Sequence, residues 1–337
     1  MVNLPLVKYH KDKKNIMTKS IKPILGVSKC LEFDNCRYDG KIIGNDFVRK
    51  LKNHVEFIPV CPEVGIGLGS PRQPIRLVRI KGKKNLYQPS TDENLTQKME
   101  DFSNKFFGEI QEIDGFILKH SSPTCGVRNV RLYHKVGKQV GFDQTIGMFT
   151  ELLSKRFPNL VIEDEARLRN SVLKHSFLTR VFTMARLRDS LSSKDKTVQF
   201  CKDNEMLFMC YDKNSSKKLM DLLSSKIPEL ERKEKIIQMV FNLLNRIPNS
   251  DSLFGTYQYI LSMFNERLAI PEKDYFKETM SGFSKGNVLP SEISTLLYSC
   301  ALRFDMKSIL SQTIFEPYPK ELIQNNSERR EYSLLKI

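Results

Sequence analysis

The fold of the first half of the chain is decided by the stretch PILGVSKC, residues 23–30. Its apolar run is short and does not alternate with polar residues, which is typical of a strand buried on both faces of a parallel sheet. The stretches VEFIPVC (55–61) and DGFILK (114–119) repeat this pattern. Apolar residues at helical spacing within 45–53 lie between the first two, so we predict a strand–helix–strand crossover in an open parallel α/β sheet.

The pattern changes twice along the chain. Residues 1–20 mix charged and polar side chains without a period, which predicts a loose N-terminal arm. Beyond Glu163, strand-like runs give way to long amphipathic stretches that are interrupted by prolines, as in helical domains. We therefore predict an α/β domain over 21–163 and an all-α domain over 164–337.

Within the α/β domain, four further elements are predicted from local patterns. A basic stretch with Lys-Gly-Lys at its centre predicts a hairpin over 75–87. Three-four apolar spacing predicts helices over 93–112 and 142–157, and a short apolar run predicts a last strand over 159–162.

Composition limits the class of protein. The 337 residues, 40% of them apolar, are enough to bury more than one core. Seven cysteines, an odd number, and the lack of a signal-like apolar segment at the N-terminus are not typical of a secreted disulfide scaffold. No apolar run approaches the ~20 residues needed to cross a bilayer. We expect a cytoplasmic protein with no membrane partner.

The chain is strongly basic, with 54 lysines and arginines, 39 acidic residues and a formal charge of +15. Such a charge attracts anionic partners, including RNA. A proteome rich in lysine and asparagine produces the same bias without any nucleic-acid binding. The charge by itself therefore leaves an RNA partner open.

Three cysteines each follow the end of a predicted buried strand: Cys30, Cys61 and Cys125. The carboxyl ends of parallel strands lie at one edge of the sheet, so these thiols should converge. Convergent thiolates suit an iron–sulfur cluster or zinc. Structural zinc usually takes close pairs such as C-x2-C, whereas Cys30 and Cys36 have five residues between them, and this spacing favours the cluster.

The alternative interpretation is that these cysteines are buried structural residues, since free cysteine is among the most buried residue types. That interpretation weakens for three cysteines at three strand ends together. It is kept for Cys201, Cys210 and Cys300, which lie on predicted helices without such surroundings.

A carboxylate and a hydroxyl accompany the thiols. Glu63 lies two residues after Cys61, and Ser122 precedes Cys125, so both can face the same pocket. A carboxylate in such a pocket can act as acid or base. The alternative for Glu63 is an ordinary loop carboxylate or helix cap. The alternative for Arg72, and for the stretch RYDG (37–40) after Cys36, is a role in fixing loop geometry, which suits Asp39 and Gly40 best.

The motifs VSKCL with NCRYDG, then CPEVGIGLGSPR, then SSPTCG resemble those of the thiouracil desulfurase family over residues 20–163. The resemblance implies a Rossmann-like domain with a [4Fe-4S] cluster held by three cysteines, and one iron open to the sulfur of a thiolated base. By position the implied ligands are Cys30, Cys61 and Cys125, and Glu63 and Ser122 match the catalytic positions. Cys36 is also a motif residue, and the strand-end argument alone makes it a non-ligand.

The helical half resembles the YbgA-type domain, which has no agreed activity. The likeness lies in the stretches 163–189 and 312–322. Such domains often carry histidines in the helix that resembles residues 200–211, and this chain lacks them there. Chemistry tied to those histidines is therefore not expected.

The leading expectation is a non-redox desulfidase that releases hydrogen sulfide from a small thiolated base or nucleoside, with a [4Fe-4S] cluster as cofactor. Two alternatives stay open: a nucleic-acid-binding or tRNA-related metalloprotein with a structural metal site, and desulfuration of a thiolated base within RNA. A salt-sensitive RNA complex would favour the alternatives, because phosphate contacts weaken as salt rises. The sequence gives no oligomeric state.

Overall fold

The computed structural model describes residues 21–137 and 141–323. The predicted N-terminal arm lies outside the described residues. The first half contains the predicted open parallel sheet, in the strand order β2-β1-β6-β9. Its strands are β1 (Ile24–Ser28), β2 (Glu56–Val60), β6 (Gly115–Leu118) and β9 (Val161–Asp164).

The helices of this half connect the parallel strands. The predicted crossover helix α1 follows β1, begins at the side-chain cap of Asn45 and leads into β2. The chain then returns to the other side of β1 to form β6, so the strand order reverses between β1 and β6. Ligands bind at the carboxyl ends of the strands at such a switch point. The helices are α1 (Asp46–Leu51), α2 (Pro62–Gly65), α3 (Thr96–Glu109) and α4 (Met148–Arg156).

A second, mixed sheet with the strand order β5-β4-β3-β7-β8 is inserted around β6. The hairpin predicted over 75–87 is confirmed by the antiparallel pairing of β3 with β4. The strands are β3 (Arg76–Ile80), β4 (Lys83–Gln88), β5 (Glu93–Asn94), β7 (Val130–Tyr133) and β8 (Phe142–Thr145).

The single helix predicted over 142–157 is wrong in its first part. Phe142–Thr145 form β8, which pairs antiparallel with β7, and the helix starts only after Gly147. A side chain at Gly147 would come within 2.3 Å of the Thr124 carbonyl oxygen. Pairing with β7 and the tight packing of Gly147 against Thr124 therefore determine the structure of residues 142–147, although the apolar spacing there is that of a helix.

The second half of the described chain is helical, as predicted. Prolines stand at or next to the starts of several helices, at the predicted breaks. No described helix combines the length and the apolarity required to cross a membrane. The helices are α5 (Ser171–Ser190), α6 (Lys194–Asp203), α7 (Glu205–Tyr211), α8 (Lys213–Leu223), α9 (Glu229–Leu244), α10 (Ser250–Ser262), α11 (Ile270–Ser284), α12 (Pro290–Arg303) and α13 (Lys307–Leu310).

Helix α5 covers one face of the parallel sheet. Phe177 and Val181 are fully or almost fully buried in one cluster with Leu25 of β1, and Tyr318 from the end of the described chain packs into the same cluster. The other face of the sheet packs on α3 and α4 through an aromatic cluster around Phe149. With helices on both faces, the strand ends of the described sheet are open for a ligand.

Close packing between β1 and β6 gives a stability prediction. A methyl group at Gly26 would lie 2.1 Å from a ring carbon of Phe116, which is fully buried. Overpacking of this kind costs about 1–3 kcal/mol, so Gly26→Ala should lower the urea midpoint of unfolding. Gly255→Ala is the matched control, because Gly255 lies inside α10 with nothing within 4 Å. This change should raise the midpoint, since alanine stabilises a helix interior by about 1 kcal/mol relative to glycine. Equal midpoints for the Gly26 variant and the parent would contradict the packing.

Candidate active site

A cavity of about 340 Å³ lies at the carboxyl ends of β1, β2 and β6, where the strand order reverses. Its walls include Cys30 after β1, Cys61 after β2, and Cys125 in the loop after β6. The structure therefore brings together the three cysteines that the sequence selected. It also brings in Cys36, which lines the same cavity.

The cysteine thiols influence one another. The Cys61 thiol donates to the Cys36 carbonyl oxygen at 3.7 Å. Contact with the Cys30 thiol, more than burial, raises the pKa of Cys36 to about 11. The contact with Cys36, followed by burial, raises the pKa of Cys61. Burial raises the pKa of Cys125 to about 12. The raised pKa values keep the thiols of Cys36, Cys61 and Cys125 protonated near neutral pH, so a metal centre that binds them must displace those protons.

Glu63 is held at this cavity by a network of polar contacts. It lies in the first turn of α2, directly after the Cys61 strand end. Its Oε1 accepts hydrogen bonds from Thr124 Oγ1 at 2.9 Å and from Ser122 Oγ at 3.3 Å. Its Oε2 is ion-paired with the Arg72 guanidinium, whose Nε lies 3.0 Å away. The two oxygens of one carboxylate therefore bind the loop after β2 and the loop after β6.

Arg72 joins three segments of the site. Its side chain is only 6% exposed and donates to the carbonyl oxygens of Cys36 at 2.8 Å and Gly69 at 3.0 Å, besides pairing with Glu63. Its own backbone N–H donates to the Tyr38 carbonyl oxygen at 2.8 Å. The expected role in fixing loop geometry is present, and it includes the orientation of the Glu63 carboxylate.

Ser122 organises the loop that carries Cys125. Its Oγ accepts hydrogen bonds from the backbone N–H groups of Thr124 at 3.2 Å and Cys125 at 3.1 Å, in the manner of a hydroxyl-capped turn. The same hydroxyl donates toward Glu63, and Ser122 lines the cavity. The expected proximity of Ser122 and Glu63 is therefore observed.

A family model described as 2-thiouracil desulfurase matches residues 25–165. The uncharacterized protein YbbK of Bacillus subtilis is 30% identical over 107 residues, which are 30% of this chain and 71% of that protein. The chain belongs to the 2-thiouracil desulfurase family. This membership makes its first half an enzyme domain of the desulfidase type.

Two further likenesses were found. The helical half matches, over residues 205–319, a model described as a protein of unknown function, DUF1722. The solved structure of the [4Fe-4S]-dependent thiouracil desulfidase TudS is similar with 26% identity and a TM-score of 0.38, and the match covers 46% of this chain and 99% of that chain.

The donor set of this 2-thiouracil desulfurase family member suits an iron–sulfur cluster. Among residues 21–137 and 141–323, no three or more His, Cys, Asp or Glu side chains are grouped to hold a single metal ion. A cluster differs from a single ion because it presents separate iron atoms to separate thiolates. Four thiols spread around a cavity of about 340 Å³ match that requirement.

The remaining cysteines lie elsewhere in the fold. Cys201 and Cys210 are buried in α6 and α7, and Cys300 lies on α12, so none of the three lines the cavity. One contact was missed by the sequence interpretation: Thr124, which is fully buried and donates to Glu63. Its position between Ser122 and Cys125 in the SSPTCG motif was the available signal.

Proposed function

We propose that this protein is a [4Fe-4S]-dependent desulfidase that removes sulfur from a thiolated pyrimidine or a related thio compound and releases hydrogen sulfide without net oxidation or reduction. One observation carries the proposal. The cavity that collects the cysteine thiols also holds Glu63, bound between Arg72 and the Ser122 loop. Membership of the 2-thiouracil desulfurase family supports a substrate of the thiouracil type.

In this proposal Cys30, Cys61 and Cys125 hold the cluster, since each comes from a different loop at the sheet edge. When bound, such a cluster supplies a Lewis-acidic iron that polarises the thiocarbonyl group. Cys36 stays a non-ligand in the proposed set, although its thiol contacts those of Cys30 and Cys61. Because Cys36 and Cys30 both lie after β1 and line the cavity, Cys36 is the alternative to Cys30 as a cluster ligand.

The polar residues provide proton transfer and orientation. Glu63 takes a proton from the water that adds to the carbon of the C=S group, and its position is fixed by Arg72 and Thr124. Ser122 Oγ sets the orientation of the base by turning its hydroxyl hydrogen from Glu63 to a ring nitrogen or oxygen. The C=S group becomes C=O, and the sulfur leaves with the two protons of the water.

A second candidate substrate is the thiolated base within RNA, and the charge of the second sheet favours it. Ile75, directly before β3, lines the cavity, and the sheet that starts there carries exposed basic side chains on β3, β7 and their connections. A polynucleotide backbone contacts such a surface through its phosphates. The exposed residues are Arg79, Lys81, Lys83, Arg128, Arg131 and Lys135.

Anaerobic cluster reconstitution followed by a substrate screen tests the proposal. We expect about four iron and four labile sulfide atoms per chain, and sulfide release from 2-thiouracil, from its nucleoside or from an RNA that contains thiolated pyrimidines. Turnover of the free base should change little between low and moderate salt, whereas RNA turnover should fall by about 10-fold or more. One zinc per chain with no labile sulfide would overturn the proposal and favour a structural metal site.

A further inference from the structure

A histidine and a buried aspartate face each other beside the cavity. His120 lies just after β6, lines the cavity and is 35% exposed in its side chain. Asp164 is the last residue of β9 and is fully buried. The two strands are neighbours, with Leu118 opposite Asp164, so the sheet register places the pair together.

The aspartate is oriented by its own loop. Its Oδ1 accepts hydrogen bonds from the backbone N–H groups of Ala166 at 3.1 Å and Arg167 at 2.9 Å. These two bonds fix the carboxylate plane and direct Oδ2 toward the imidazole. The distance from Asp164 Oδ2 to His120 Nδ1 is 3.4 Å.

Both facing atoms are buried, and in the structure neither makes a hydrogen bond, with the other or with any third group. A buried carboxylate oxygen and a buried ring nitrogen are costly to leave unpaired, and each is the natural partner of the other. Hydrogen bonds of catalytic groups are often long in the absence of substrate and tighten when it binds. The pair therefore has the geometry of a carboxylate that orients a histidine.

The backbone of His120 is also held in place. Its N–H donates to Glu165 Oε2 at 2.7 Å, and its carbonyl oxygen accepts from Lys119 Nζ at 3.1 Å. Lys119 and Glu165 form an ion pair with an N–O distance of 2.5 Å. The imidazole is therefore attached to a firmly held strand end. Because Nδ1 faces Asp164, Nε2 is the ring nitrogen that can contact a molecule in the cavity.

We propose that His120 is a further catalytic residue of the cavity and that Asp164 is its positioning residue. This inference rests on the proposed desulfidase function. Asp164 selects the tautomer with the proton on Nδ1, as in other carboxylate–histidine pairs. The unprotonated Nε2 of His120 then accepts the proton of the new hydroxyl group and passes it to the departing sulfur.

The proton balance of the step is closed by two residues. A C–O bond forms from water to the substrate carbon and the C–S bond breaks, while Glu63 takes one proton of the water. His120 Nε2 accepts the proton of the new hydroxyl group as it becomes C=O and gives that proton to the sulfur. Glu63 then returns its proton to the sulfur, which leaves as hydrogen sulfide. No electrons are gained or lost.

The first test compares matched histidine variants of the reconstituted full chain. His120→Gln should lower the rate of sulfide release by about 100-fold with unchanged iron and labile sulfide content, because one proton-transfer group is lost. His134→Gln should leave the rate unchanged. His134 also faces an aspartate, Asp143 at 3.2 Å, but the pair is exposed on the second sheet and His134 does not line the cavity.

Chemical rescue separates a catalytic role from a structural one. Added imidazole should restore at least a tenth of the parent rate to His120→Ala, since the small molecule can occupy the vacated place and carry the proton. Full activity of His120→Gln beside an active parent, or no rescue of His120→Ala, would overturn this inference alone. No sulfide release by the parent from any thiolated substrate would overturn the proposed function and the inference with it.

A second readout does not depend on turnover. The chain has five histidines, few enough for nitrogen-15 spectra of the imidazoles, assigned with the His120→Gln variant. Recorded on the full chain before and after cluster loading, the spectra should show the Nδ1–H tautomer for His120. Asp164→Asn should shift this signal and lower turnover with it. An unchanged His120 signal in Asp164→Asn would remove Asp164 as the positioning residue.

Discussion

Glu63→Gln should reduce sulfide release by about 10²–10⁴-fold while the protein keeps its cluster, because a carboxamide cannot take a proton from water. The variant retains all the thiols around the cavity, so its iron content and its visible absorbance should match those of the parent. The glutamine side chain has the same length and shape as Glu63, so its amide group can occupy nearly the same position as the carboxylate. The measurement is the sulfide release rate per reconstituted cluster.

A matched control comes from the neighbouring loop. Glu32 is also a carboxylate paired with an arginine, Arg49 at 2.8 Å, but it does not line the cavity. Glu32→Gln should therefore keep the parent rate. Unchanged turnover in Glu63→Gln would remove Glu63 from the mechanism, and equal losses in both variants would point to loop damage instead.

The parallel sheet was predictable because its signals are local. The runs that became β1 and β6 are short, apolar and almost wholly buried, which is the composition that a strand covered on both faces requires. β2 was predicted as a strand from the same kind of run, but it lies at the sheet edge and is partly exposed, so its predicted full burial is wrong. The order in which strands alternate with helices then placed their carboxyl ends on one edge. Convergence of Cys30, Cys61 and Cys125 followed from topology alone, without any knowledge of side-chain positions.

The parts that the sequence missed depend on contacts between distant residues. The strand β8 pairs with β7, and its apolar spacing read alone indicates a helix. The contact of Thr124 with Glu63 spans 61 residues, and the approach of His120 to Asp164 depends on the register between β6 and β9. The periodicity of the sequence does not predict these contacts, because each one depends on how two segments that are distant in sequence are positioned in the folded sheet.

The cysteines give the second large expected effect. Replacing Cys30, Cys61 or Cys125 by alanine should remove most of the bound iron and labile sulfide. Each replacement removes one of the three thiolates that hold the cluster in the proposed set. Cys36→Ala should retain the cluster if the proposed set is correct. Iron counting, labile sulfide analysis and visible absorbance on anaerobically reconstituted protein provide the measurement.

Cys36 makes this experiment decisive, because its thiol contacts those of both Cys30 and Cys61. Cys201→Ala serves as the control for general effects of losing a buried thiol, since Cys201 is fully buried in α6 and does not line the cavity. If Cys36→Ala loses its iron while one of the three strand-end variants keeps it, Cys36 replaces that residue as a ligand. If all four variants lose it, every thiol of the cavity binds the cluster, no iron stays open to substrate sulfur, and the proposed desulfidase chemistry fails.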